Sequence, residues 1–177
     1  MSYYKFAAKM IGGKKRVLDV GCNEGLEPIF LAKECNYALG IDQDAEAISF
    51  AKQNFSGELI DFEKVDFLHS DMTGEWDAVT SFDLIGNIAP ELAESFIGKI
   101  ASFLKEDGVA VIGTPSKVSQ ELSSLEQPNL YDHERLEEEM QKHFRHVFMF
   151  AANDEVVHTG YMPLAHYFIV VACGPKC

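Results

Sequence analysis

The residues whose types and spacing suit chemistry are Asp19, the pair Gly21 and Gly25, Asp42, Asp71 with Met72, and the run Ser81-Phe82-Asp83. Asp19 is an acid inside an apolar run, Val17-Leu-Asp-Val20, two residues before the first glycine. Glycines at 21 and 25 suit a sharp strand-to-helix turn that needs positive φ or close backbone approach. A helix opening at that turn would aim unpaired N–H groups and a positive dipole end at a ligand above it. Asp42 follows Gly21 by 21 residues and closes a second apolar run, where a carboxylate can accept hydrogen bonds from both hydroxyls of a ribose. Asp71 can take the exocyclic amine of an adenine while Met72 covers the ring. Asp83, at the end of a further apolar run, falls beside the reactive end of such a nucleoside. Each acid alone is an ordinary turn or cap residue. Their joint order is what points to a nucleoside-bearing ligand.

Other chemistry-bearing residues are sparser. His158 sits in a polar connection near the C-terminus and joins Asp83 as a candidate for acid–base work. His143 and His146 lie near a helix end, where the C-terminal dipole explains them better than a metal does. The four cysteines form no CxxC pair and no metal-ligand spacing, so reduced structural thiols and no metal are expected. The net charge of −13 disfavours a nucleic-acid partner, since no basic face is there to displace counterions. No apolar run reaches membrane-spanning length. A cytoplasmic location is the expectation, and oligomeric state is left open.

These residues need a scaffold. A leading helix over residues 3–11 is closed by Gly12-Gly13. Strands are expected at Lys14–Val20, Tyr37–Ile41, Lys64–Leu68, Trp76–Phe82, Val109–Thr114, Val147–Ala151 and His166–Val171. Helices are expected over residues 25–34, from the Asp44 cap to Phe55, from Pro90 to a stop at Gly108, and from the Asp132 cap. Strands alternating with helices imply parallel βαβ units. The last two strands lack a crossover helix and should be antiparallel. Residues 115–130 read as a long surface loop, a candidate active-site element. With 177 residues and no linker or repeat, one domain over 1–177 is expected, including a leading helix at 1–12. The expected fold is α/β, a doubly wound, mostly parallel sheet with helices on both faces and an antiparallel C-terminal hairpin.

In its motifs the chain resembles the class I S-adenosylmethionine-dependent methyltransferases. Val-Leu-Asp-Val-Gly-Cys-Asn-Glu-Gly25 is similar to that family's glycine-loop motif, Gly40-Ile-Asp42 to its ribose motif, and Ser70-Asp-Met72 to its adenine motif. The stretch Phe103–Pro115 is similar to its helix-turn-strand. The resemblance implies a seven-stranded sheet and S-adenosyl-L-methionine as cofactor, held by Asp19, Gly21, Cys22, Asn23, Gly25, Asp42, Gln43, Asp71, Met72, Ser81 and Phe82. Asp19 then suits the ammonium of an aminocarboxypropyl group, whereas with Glu24 it would repel a diphosphate. Asn23 replaces the family's usual middle glycine, and Asn tolerates positive φ well. Asp83-Leu-Ile-Gly-Asn87 stands where one branch, the ubiquinone-type O-methyltransferases, carries Glu-x-x-Glu-His. Residues 129–136 and 153–158 resemble stretches of bacterial methyltransferases from surface-polysaccharide and sugar pathways. The acceptor implied is a small molecule or a sugar, methylated on O or N. Two rivals stay open: a cofactor-binding module or non-catalytic partner subunit, and a nicotinamide dehydrogenase, whose Gly-x-Gly-x-x-Gly residues 21–26 do not supply.

Overall fold

The computed structural model describes residues 2–13, 15–119 and 127–176. In chain order the elements are α1 (Ser2–Ile11), β1 (Arg16–Val20), α2 (Pro28–Ala32), β2 (Tyr37–Asp42), α3 (Ala45–Phe55), β3 (Ile60–Lys64) and β4 (Trp76–Phe82). They continue as α4 (Pro90–Ser102), β5 (Leu104–Pro115), α5 (His133–His143), β6 (Phe144–Asn153), β7 (Val156–His158) and β8 (Tyr167–Pro175). Among the described residues no helix is long and apolar enough to cross a membrane.

Strand alternation distributes the core. Along β1, Leu18 and Val20 face one side, in the same apolar cluster as Phe96, Ile97 and Ile100 of α4 and Leu136 and Met140 of α5. Val17 faces the other side, toward Tyr4, Ala7 and Ile11 of α1, Leu31 of α2, and Ile48 and Ala51 of α3. Asp19 shares the parity of Val17 and so points beneath α1. The strand order is β3-β2-β1-β4-β5-β8-β6-β7. The five strands from β3 to β5 are parallel, and β8 pairs antiparallel with both β5 and β6.

Several expectations are corrected. Among the described residues the sheet has eight strands rather than seven, because β7 adds an edge strand paired antiparallel with β6. A two-residue turn with Asp154 at φ 53 makes this hairpin, and three residues carry too little pattern to announce a strand. The third strand lies at Ile60–Lys64, not Lys64–Leu68. Ile60 and Phe62 are buried while acids occupy the alternate positions, an edge-strand pattern that the more apolar Val65–Leu68 outweighed. The helix from Pro90 ends at Ser102, well before Gly108. The chain leaves it to pair Leu104 with Trp76, then makes an irregular excursion before Ala78 pairs with Val109. Gly108 belongs to that excursion, where an added Cβ would lie 2.9 Å from the Lys105 carbonyl oxygen. The first helix shrinks to Pro28–Ala32, with Pro28 in its first turn.

Residues 120–126 of the expected 115–130 loop lie outside the described residues. Its ends are tied down: Lys117 N–H donates to the Tyr131 carbonyl (2.8 Å) and Asn129 N–H to the Gly86 carbonyl (3.1 Å).

Candidate active site

Where β1 ends, the chain enters the left-handed region three times: at Gly21 (φ 84), Asn23 (φ 49) and Gly25 (φ 79). Asn23 therefore does what the usual middle glycine would do, and the turn is intact. The N–H groups of Gly21 and Cys22 both donate to the Ile41 carbonyl (2.8 and 3.1 Å), and Gly25 N–H closes back on the Cys22 carbonyl (3.0 Å). A Cβ on Gly25 would stand 2.6 Å from the Phe62 ring and 2.8 Å from Ala51, so the position is closed to any side chain. α2 begins only at Pro28 and has five residues, so the turn has no long helix dipole behind it. What it presents is backbone and side chains.

Asp42, at the end of β2, braces this turn. Its carboxylate accepts from Asn23 N–H and Asp44 N–H, each at 3.0 Å, joining the two loops that follow β1 and β2. Asp44 in turn caps α3 by accepting from Glu46 and Ala47 N–H.

Asp19 is fully buried. One carboxylate oxygen accepts from the Thr80 hydroxyl and the other from the Tyr4 hydroxyl (3.1 Å). Burial pushes its pKa up to about 7, opposed by those two hydroxyls and assisted by the charges of Glu27 and Asp42. With no exposed surface it holds α1 and β4 to the turn and acts on any ligand only through them. Ser81 is likewise buried, its hydroxyl donating to the Val20 carbonyl (2.9 Å). The Cys22 thiol is raised far above its ordinary range, chiefly by burial and then by Asp19 and Asp42, which rules it out as a nucleophile.

Two cavities meet over the turn, sharing Gly21, Asp42, Leu84 and Asn87. The first, of about 290 Å³, has mostly apolar walls from Val20, Ile41, Val65, Phe67, Leu68, Ile88, Leu92 and Phe96, with Gln43, Asp66 and His69 at its polar edge. The second, of about 410 Å³, is lined by Tyr3, Tyr4, Cys22, Asn23, Glu27, Phe82 and Asp83. Asp71 and Met72 line neither. Because β3 ends at Lys64, the acid that follows it into the cavity is Asp66, flanked by Phe67. Sequence reading missed both by misplacing the strand. The Asp66 carboxylate pairs with His69 Nδ1 (2.9 Å), whose hydrogen bond holds it below the ordinary carboxylate range. Lys99 Nζ fastens this turn through the Ser70 carbonyl (2.6 Å) and lies over the Phe67 ring.

Asp83 sits just past β4 at φ 60, the second non-glycine left-handed residue around the polar cavity. Its carboxyl is pushed above the ordinary range, first by desolvation and also by Glu27, while the Tyr167 hydroxyl opposes the rise. Asn87 Nδ2 holds the Asp83 carbonyl (2.7 Å). His158, the other acid–base candidate, ends β7 and lines neither cavity; its Nδ1 accepts from Gly160 N–H (3.0 Å). The structure thus gathers Gly21, Cys22, Asn23, Asp42, Gln43, Phe82 and Asp83 around one space. It places Asp19, Gly25 and Ser81 behind that space as supports.

Comparison with known proteins agrees with this architecture. Residues 11–157 match the family model described as a methyltransferase domain. The chain is 30% identical over 137 residues to a ribosomal protein L11 methyltransferase of Thermosipho africanus, covering 76% of this chain and 50% of that protein. It is 33% identical over 104 residues to a ubiquinone biosynthesis O-methyltransferase of Dechloromonas aromatica, covering 56% and 44% respectively. The chain thus spans about half the length of these curated relatives. Its fold is similar to that of a TehB-like SAM-dependent methyltransferase from Corynebacterium glutamicum, with TM-score 0.77, 20% identity, and 98% of this chain and 87% of that one covered.

Proposed function

The chain belongs to the methyltransferase-domain family, within the class I S-adenosylmethionine-dependent group, and from that premise we propose that it methylates a small-molecule or saccharide acceptor. One observation carries the reading: an apolar cavity and a polar cavity meet at Gly21 and Asp42, at the carboxyl ends of parallel strands.

The residues suit S-adenosylmethionine part by part. Phe67, Leu68, Val65 and Leu92 offer an apolar slot for adenine, with the Asp66 carboxylate at its edge to accept from an exocyclic amine. Asp42 spends one N–H contact on each oxygen and keeps lone pairs for ribose hydroxyls. The left-handed turn and Glu27 border the space for the aminocarboxypropyl group, and the half-buried Glu27 carboxylate can take the ammonium that the fully buried Asp19 cannot reach. When bound, this cofactor supplies an electrophilic methyl group on a sulfonium. The protein's contribution is to orient an acceptor in the polar cavity and remove its proton, and positioning carries much of the rate. Asp83 is the group we assign to the proton, since it faces that cavity and is biased toward binding one.

The small-molecule assignment is supported by the modest cavity and the acidic surroundings; the curated relatives, by name, include enzymes of ribosomal protein L11 and of ubiquinone biosynthesis. Methyl-labelled S-adenosylmethionine incubated with the protein and three separate acceptor pools tests it. Label should enter the low-mass metabolite and saccharide fraction. Label in total RNA or ribosomal protein instead would overturn it.

A further inference from the structure

The acceptor half of the polar cavity carries more information than its size. Among the described residues lining it there is no Lys, Arg or His; the charged ones are Glu27, Asp42 and Asp83. Asp42 and Glu27 are accounted for by the cofactor reading, on which this inference rests. Asp83 is not. Beside it stands the buried Tyr167 hydroxyl. That hydroxyl interacts with the Asp83 carboxylate directly, by charge and by hydrogen-bonding contact, which raises the tyrosine pKa and opposes the rise of the acid. Tyr167 stacks on Tyr3 at 4.2 Å between ring centroids, with the planes 18° apart, and Tyr4 packs on Phe82 at 4.5 Å. The carboxylate is therefore set against an aromatic wall supplied by α1, β4 and β8.

We propose that this corner selects an amine, bound as its ammonium form by Asp83 beside the Tyr3 and Phe82 rings that line the cavity, with Tyr167 behind them, and that the protein is an N-methyltransferase of a cationic small molecule. A carboxylate beside aromatic faces attracts an ammonium by charge and by cation–π contact, and repels phosphate or carboxylate acceptors. The Tyr167 hydroxyl, buried behind Asp83, has a proton to donate to the carboxylate and so holds it in place toward the cavity. Asp83 adopts the left-handed conformation that its own side chain tolerates, which fixes the carboxylate at the strand end rather than leaving it on a mobile loop.

The chemistry balances. The ammonium gives one proton to the Asp83 carboxylate, leaving a neutral amine. Its nitrogen lone pair forms the N–C bond to the methyl group while the C–S bond breaks and its electron pair stays on sulfur. The sulfonium charge is thereby transferred to the methylated nitrogen, S-adenosylhomocysteine leaves neutral at sulfur, and Asp83 returns its proton to water.

Three probes of one shape separate the possibilities: phenethylamine, 2-phenylethanol and phenylacetate, titrated into protein saturated with S-adenosylhomocysteine. Binding of S-adenosylhomocysteine itself is measured first, so loss of the cofactor reading is seen separately. Phenethylamine should bind at least tenfold more tightly than the alcohol, and the carboxylate least. Asp83→Asn should erase the amine preference while S-adenosylhomocysteine affinity is kept, which also certifies the fold. Tyr167→Phe should weaken phenethylamine binding several-fold without removing the preference over phenylacetate. Equal binding of amine and alcohol, tighter binding of phenylacetate, or binding of no probe by cofactor-saturated protein would each overturn the proposal.

Discussion

Asp19→Asn tests the physical account of the turn in a way that no ligand is needed to read. The wild-type carboxyl is fully buried, and burial raises its pKa from an ordinary 3.8 to about 7. A raised acid pKa means that the folded chain favours the protonated form. The stability it contributes is therefore complete below about pH 4 and is lost as pH climbs through about 7. Three pH units at about 1.4 kcal/mol each make that loss about 4 kcal/mol by pH 8, and about 3 kcal/mol is already gone at pH 6. Asparagine copies the protonated acid: its carbonyl can accept from Thr80 and its amide can donate to the Tyr4 oxygen, but it does not titrate. Urea unfolding of both proteins, followed by circular dichroism at half-unit steps from pH 4 to 8, isolates this group because other titrations cancel in the difference. The two should be close in stability near pH 4, with the asparagine variant gaining steadily to an advantage of about 4 kcal/mol at pH 8. Parallel curves across the range would refute the reasoning, since they would mean that Thr80 and Tyr4 offset the whole cost of burial.

The other predictions concern the turn and its ligand. Gly25→Ala should destabilise the fold by about 2–4 kcal/mol, because the new Cβ meets the Phe62 ring at a backbone conformation alanine resists; denaturant unfolding reads this directly. Asp42→Ala should weaken S-adenosylhomocysteine by about 1.5–3 kcal/mol in calorimetry, the scale of a lost charge-assisted hydrogen bond. Asp66→Ala should weaken it several-fold while Asp71→Ala leaves it unchanged; the reverse ranking would restore the adenine assignment to Asp71.

The sequence carried the parallel core of this fold well, and for definable reasons. β1, β2 and β4 are short runs buried on both faces, and Asp44, Asp132 and Pro90 mark helix starts by local chemistry alone. What it hid were features set by partners distant in the chain. β3 is an edge strand with acids on its outer positions, and its identity depends on pairing with β2. That one misplacement put the candidate adenine acid at Asp71, which lines neither cavity, rather than at Asp66, which lines the apolar one. Gly108 reads locally as a helix stop, yet it serves an irregular stretch where β5 pairs with β4. Asp19 was visible as unusual, but its burial under Tyr4 follows from α1 crossing the sheet, which periodicity does not reveal. Tyr3, Glu27 and Tyr167 carried no motif. Only folding brings them beside Asp83.

The central claim is that the joined cavities over Gly21 and Asp42 are a seat for S-adenosylmethionine. Calorimetric titration of the purified protein with S-adenosylhomocysteine, and separately with NAD, tests it most directly. The account predicts saturable one-to-one binding of S-adenosylhomocysteine that Asp42→Ala weakens, and no binding of NAD. Binding of NAD in its place, or S-adenosylhomocysteine affinity indifferent to Asp42, would contradict it.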